Sequence, residues 1–197
     1  YPYIPGSDSD AFKGISLLVG LVVSLGSSSA IANLVAGLMI TYRRAFKLGD
    51  RVMIGDVIGD VIDIHAQVTH LRTLKNEEVT IANSQILNGH VVNYSSLAAE
   101  KGLIVHSRVG IGYETPWRQV EALLLMAVAR TPGLLAEPPP FVLYGELGDF
   151  CVSYEINAHC REAHAVPRLH AQLQRNILDV FNEYAVQIMT PNYEADT

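Results

Sequence analysis

The chain has 197 residues, 49% of them hydrophobic and 17% charged, with a formal net charge of −6. That acidic balance excludes a protein whose main work is neutralising phosphates, so nucleic acid is not expected as a partner. The two cysteines, Cys151 and Cys160, lack paired spacing, so a disulfide framework is not implied and reduced thiols in a cytosol fit better.

Residues 1–11 open with Tyr1-Pro2-Tyr3-Ile4-Pro5-Gly6-Ser7 and read as an extended loop. The first residue is Tyr rather than Met, so further chain is expected upstream. The apolar run that follows is too long for a signal peptide and lacks a basic start and a small-residue cleavage site.

From Gly14 to Tyr42 there are 29 residues without one charged side chain, bracketed by Lys13 and by Arg43, Arg44 and Lys47. As a helix this run reaches roughly 43 Å, longer than the roughly 30 Å of bilayer hydrocarbon, so residues 12–46 read as a membrane span with a bend or tilt. Ser16, Gly20, Ser24 and Ser28 recur every four residues and place small surfaces on one side, where a neighbouring helix can approach closely. Leu17, Leu21 and Leu25 form a second stripe about 100° away. Copies packed through the small face turn the leucines toward a shared axis, where apolar rings expel water and stop ions. A plain single-pass anchor is the alternative reading of the same stripes. Gly26-Ser27-Ser28-Ser29 interrupts the run at residue types known for kinks, which predicts two helical pieces, the second carrying Asn33 and Gly37 along the inner surface. Asn33 is either a contact to a neighbouring helix or a helix cap after the kink. The basic residues after the span, against Asp8 and Asp10 before it, predict that everything beyond about residue 43 is cytoplasmic.

Residues 47–99 change to short β-type runs, at 51–54, 57–64, 67–73, 78–81 and 91–94, which predict a small barrel. Gly55-Asp56, Gly59-Asp60 and Lys75-Asn76 supply turn or bulge chemistry between them, and Asp56 and Asp60 read as turn formers rather than a catalytic pair. Residues 100–190 run strand (103–112), helix (116–130), hairpin (141–147 and 150–158), helix (167–184) and strand (186–189). This is the ferredoxin-like α+β order. Pro116 is placed at the start of the first of these helices. Residues 191–197 are left as a short tail.

His159, Cys160, His164 and His170 offer a metal-cluster reading, weakened by Pro167 between His164 and the next helix and by the absence of a fixed carboxylate. No phosphate loop, nucleophile elbow or catalytic triad pattern is present, so no enzyme activity, metal or cofactor is expected. A membrane-anchored module that binds protein or RNA is a further alternative, opposed for RNA by the acidic charge and the sparse aromatics of the β-region.

Ser29-Ala30-Ile31-Ala32-Asn33-Leu34-Val35-Ala36-Gly37, followed by Phe46-Lys47-Leu48-Gly49-Asp50, resembles the small-conductance mechanosensitive channel family. The similarity continues through 55–61, Arg72-Thr73, Val79-Thr80-Ile81-Ala82-Asn83-Ser84 and Val92-Asn93-Tyr94-Ser95, in the family's order. The resemblance implies a membrane protein with a kinked pore-lining helix, an Sm-like β-domain and a cytoplasmic α/β domain, assembled as a homoheptamer in the cell inner membrane. It implies opening under membrane tension, with release of ions and small osmolytes in hypoosmotic shock, and contact with membrane lipids. Leu21 and Leu25 match the pore-closing positions, and Ser16, Gly20 and Ser24 fall on the packing face. Asn33 and Gly37 match positions linked to closing and inactivation. The hinge around Gly26, Ser28 and Ser29 departs from the Gln-Gly of prototypic members, and at least two further lipid-facing helices precede this one in the family.

Overall fold

The computed structural model describes residues 9–189. The loop expected over 1–11 and the tail expected over 191–197 therefore fall outside the described residues, apart from 9–11. Of these three, Ser9 caps the first helix, α1 (Asp10–Arg43), with its side chain accepting from the Phe12 N–H at 3.2 Å. Asp10 in the first turn and Arg43 in the last suit the helix dipole. Arg44 ends the helix in a left-handed conformation, φ 51°, its N–H donating to the Ile40 carbonyl.

The two helical pieces expected on either side of residues 26–29 are one element in this structure. The hydroxyl of Ser27 donates back to the Val23 carbonyl at 2.8 Å, and serine and glycine lower helix stability by no more than about 1 kcal/mol each, which a 34-residue ladder absorbs. At about 1.5 Å per residue the helix is roughly 51 Å long. It is long and apolar enough to cross a membrane, and none of its most apolar window is buried.

A five-stranded antiparallel sheet follows, with β1 (Arg51–Ile54), β2 (Val57–Ile64), β3 (Val68–Thr73), β4 (Glu78–Ala82) and, after the short helix α2 (Asn83–Asn88), β5 (Val91–Asn93). Strand order is β4-β3-β2-β1-β5. Gly55 and Asp56 make the first hairpin turn, with Gly55 at φ 58°, and Asn76 at φ 64° lies in the connection from β3 to β4. Gly59 and Asp60 are not in a turn, which corrects their reading as turn formers. They lie inside β2, where a Cβ on Gly59 would stand 2.7 Å from the Arg72 carbonyl oxygen of the neighbouring strand. Asp60 is cross-strand partner to Arg51 and makes a forked ion pair with it, at 2.7 and 2.9 Å. The core beneath this sheet combines Val52, Ile54, Val61, Leu71, Ile81 and Ile86 with Ile40 from α1 and Phe46 from the linker.

The chain divides into two compact units between Asn93 and Tyr94. The second comprises α3 (Ala98–Lys101), β6 (Leu103–Ile111), α4 (Trp117–Ala129), β7 (Phe141–Leu147), β8 (Val152–Cys160), α5 (Val166–Glu183) and β9 (Ile188–Met189). Its antiparallel sheet has the order β7-β8-β6-β9, in which β8 lies between the outer strand β7 and the first strand β6, as the ferredoxin-like split unit requires. Val120, Leu123, Leu124, Ala127 and Val128 of α4 and Leu169, Leu173, Ile177, Val180 and Phe181 of α5 pack on its inner face. Pro116 precedes α4 as its cap rather than opening it.

Candidate functional site: an apolar helix seated by its C-terminal half

The first half of α1 presents its side chains to the outside. Leu17, Leu21 and Leu25 are 77%, 57% and 70% exposed, and Ser16, Gly20 and Ser24 beside them are exposed as well. A Cβ built on Gly14, Gly20 or Gly26 meets no atom within 4 Å. Among the described residues, the side chains on the two predicted stripes are thus left exposed, with no packing partner that accounts for their chemistry.

The second half is different. Asn33, Ala36, Gly37 and Ile40 share a face by their i, i+3, i+4, i+7 spacing, and Ala36, Gly37 and Ile40 are buried there. The seat is built by α2 and by the turn between β2 and β3. Asn83, fully buried, donates through Nδ2 to the carbonyls of His65 and Ala66 at 2.9 and 3.0 Å, and its Oδ1 accepts from the Thr69 hydroxyl at 2.8 Å. Its backbone N–H donates to the Gln67 carbonyl at 2.9 Å. This network ties the 65–67 turn to α2, because the fully buried Asn83 and Thr69 side chains find their hydrogen-bond partners in it.

Gly37 lies on that seat with no room for a side chain. A Cβ there would collide with the Ala66 carbonyl oxygen and stand 2.6 Å from Asn83 Nδ2. Asn33 closes the joint from the helix side, its Oδ1 accepting from the backbone N–H of Ser84 at 2.9 Å. The residue before α2, Ala82, has no side chain to cap it, so Asn33 supplies across 51 residues the acceptor that a local cap would give. On the opposite face, Ile31, Val35, Leu38 and Tyr42 are exposed, Tyr42 to 87%. Below the joint, Asp50 Oδ2 accepts from the Lys47 N–H and from Asn93 Nδ2, each at 2.9 Å, which ties the linker after α1 to β5.

Asn33 and Gly37 are legible in the sequence as candidate site residues, whereas the seat that Asn83 forms with Thr69, His65 and Ala66 is not. The available signal was the Asn83-Ser84 pair after the apolar end of β4, a combination typical of a helix start. In the second unit, His159, Cys160, His164 and His170 are not gathered: no group of three or more metal-ligating side chains occurs among the described residues. Burial pushes the Cys160 thiol above its ordinary range, the opposite of what a reactive thiolate needs. The hydrogen bond from Arg108, directly across the sheet, holds the Glu155 carboxyl below the usual carboxylate range; the two form a structural ion pair.

Residues 29–96 match the family model described as the mechanosensitive ion channel β-domain, and residues 105–188 the one described as mechanosensitive ion channel MscS, C-terminal. The mechanosensitive channel MscK of Escherichia coli is 26% identical over 157 residues, covering 80% of this chain and 14% of MscK. An MscS family protein of Synechocystis is 26% identical over 171 residues, covering 87% of this chain and 56% of that protein. The chain therefore spans between about one seventh and just over half the length of these two relatives, both of which carry channel or channel-family names. The closed-state crystal structure of Helicobacter pylori MscS shares the fold, with a TM-score of 0.81 at 16% identity over 98% of this chain and 75% of that one. With both family models placed in order on the two folded units behind an apolar helix, the chain belongs to the MscS family of mechanosensitive ion channels.

Proposed function

We propose that this chain forms the pore-lining helix and cytoplasmic domains of a tension-gated channel subunit that releases ions and small osmolytes during hypoosmotic shock. The observation that carries the reading is the exposed pair of stripes on the first half of α1, which lies in a chain whose folded units match the channel family. Identical copies, a heptamer by family resemblance, pack through Ser16, Gly20 and Ser24 and present Leu21 and Leu25 as rings around a shared axis. A dry apolar constriction stops ions without a charged barrier. Tension favours the state that occupies more area in the bilayer plane, so it acts on the equilibrium as a ligand with differential affinity for the open form. The Gly26, Ser28 and Ser29 segment serves as the hinge. Gly37 and Asn33 hold the second half of the helix on its β-domain while the first half moves. The span sits in the cell inner membrane with the chain beyond about residue 43 in the cytoplasm.

The test is current recording under pipette suction from the full-length gene product. Leu25→Ser wets the constriction and lowers the opening threshold; an unchanged threshold and closed-state conductance remove these leucines from the gate.

A further inference from the structure

In the second unit, the start of α4 and the β7–β8 hairpin border a cavity of about 530 Å³ with a mainly apolar lining that includes four aromatic side chains, Tyr113, Trp117, Tyr144 and Tyr154. Tyr144 and Tyr154 are cross-strand partners on β7 and β8, and their rings meet edge to face, 5.5 Å apart at 66°. Trp117, the first residue of α4, meets Tyr144 the same way, 5.8 Å apart at 80°. Ring planes this steep to one another wall a concavity from several sides instead of stacking into a slab. The Tyr113 hydroxyl donates to the Gly148 carbonyl at 2.7 Å and the Tyr144 hydroxyl to the Glu121 carboxylate at 3.1 Å, so both rings are fixed by their polar ends. Two opposite charges border the aromatics. The Arg118 guanidinium lies over the Trp117 ring, its Cζ 4.4 Å from the centroid. Partial burial and the Glu121 carboxylate push the Tyr144 phenol above its ordinary range while Arg118 pulls it down, so both charges bear on the same ring.

We infer that this cavity binds a small zwitterionic solute carrying a trimethylammonium group and a carboxylate, the methylated cation among the four aromatic rings and the carboxylate on Arg118. Aromatic faces attract a cation through the ring quadrupole, and Glu121 adds a negative charge at the Tyr144 hydroxyl. A quaternary ammonium has no N–H to satisfy, which suits a lining of ring and aliphatic carbon. A primary ammonium or an inorganic cation would exchange its water for oxygen ligands that this lining hardly supplies. Arg118 decides the rest. A ligand that is only a cation is repelled by the guanidinium, whereas one with its own carboxylate gains a charge-assisted hydrogen bond. The site lies wholly within the second unit, so it goes beyond the channel reading and does not depend on it.

Trp117 is the only tryptophan of the chain, so its emission reports on the cavity directly. The experiment titrates glycine betaine into the full chain in detergent micelles and follows tryptophan fluorescence, with calorimetry on the same samples to record binding that leaves the emission unchanged. Glycine betaine binds saturably, about tenfold more tightly than the tert-butylacetate anion, which keeps the shape and the carboxylate without the cation; that is the scale of a desolvated cation–π contact. Glycine, with a primary ammonium, binds no better than tert-butylacetate. Arg118→Gln, on the exposed face of α4, removes the advantage of glycine betaine over choline and leaves choline binding intact. Tyr144→Leu weakens glycine betaine and choline alike; should it disturb the sheet, Arg118→Gln still decides. Equal binding of glycine betaine and tert-butylacetate, no saturable binding by either method, or an advantage over choline that survives Arg118→Gln overturns the inference.

Discussion

The two halves of α1 are made of similar residues and are used in opposite ways. Between 33 and 40 the helix meets its own chain: Ala36, Gly37 and Ile40 are buried and Asn33 caps α2. Between 14 and 26 it is exposed among the described residues, and all three glycines there face open space. A glycine on a helix lowers its stability by about 1 kcal/mol relative to alanine, so each one needs a compensating reason. For Gly37 that reason is intramolecular, a backbone-to-backbone approach to Ala66. For Gly20 no described residue supplies one, and the compensation comes from a neighbouring helix or from nowhere. One helix thus carries one segment whose chemistry is explained by folding within the described residues and another for which the proposed function assigns an assembly role.

The sharpest way to break this contrast is to place the same bulk on both glycines. Gly37→Leu drives a side chain into the Ala66 carbonyl and Asn83, neither of which can retreat without dismantling the buried network. The expected cost is about 3 kcal/mol, the upper end for overpacking. Hydrogen exchange at the Ser84 amide reads it directly, because lifting the helix frees that N–H from Asn33. Retained protection at Ser84 shows that the seat is plastic and removes the distinction between the halves.

A smaller loss is expected from Asn83→Ala, which leaves the helix surface intact and empties the seat. The Thr69 hydroxyl and the His65 and Ala66 carbonyls each lose a buried partner. Unsatisfied buried groups cost about 1–3 kcal/mol, reduced to the extent that water enters the space left by the amide. Urea unfolding of the first unit followed by far-ultraviolet dichroism should show a lower midpoint. An unchanged midpoint means that the network orders the turn without stabilising it.

The sequence discloses the parts of the fold whose causes are local. The strands at 51–54 and 57–64 are bounded by Gly55-Asp56, whose turn chemistry needs no distant partner. Helices α4 and α5 declare themselves through apolar periodicity, because the same face that repeats in sequence is the one that packs. What stays hidden depends on distant residues. Six-residue α2 is too short to be stable alone, and its cap is a side chain 51 positions earlier. Asp60 follows a glycine and reads as a turn, but its partner is Arg51 on the adjacent strand. The same logic divides the site. Stripes at 16, 20 and 24 and at 17, 21 and 25 are legible as periodicity, whereas the seat of Gly37 requires a turn and a helix that only the tertiary structure brings together.

Gly20→Leu, the counterpart of the Gly37 substitution, has the smallest expected effect on the fold of a single chain. Open space surrounds the position, so the first unit's unfolding midpoint moves by no more than about 0.5 kcal/mol equivalent, the ordinary range for a surface substitution. Leucine is in addition a better helix former than glycine, which pushes the small change toward stabilisation. Its consequence should appear instead in assembly, since a leucine on the small face separates helices that otherwise touch. Particle mass in lipid nanodiscs measures that separation: the full-length gene product loses its uniform oligomer while each subunit keeps Ser84 protected from exchange. If the oligomer persists with normal gating, close packing at Gly20 is wrong and the glycine is explained by neither half of the contrast; if the single chain unfolds, the first half of α1 has an intramolecular partner and the contrast itself fails.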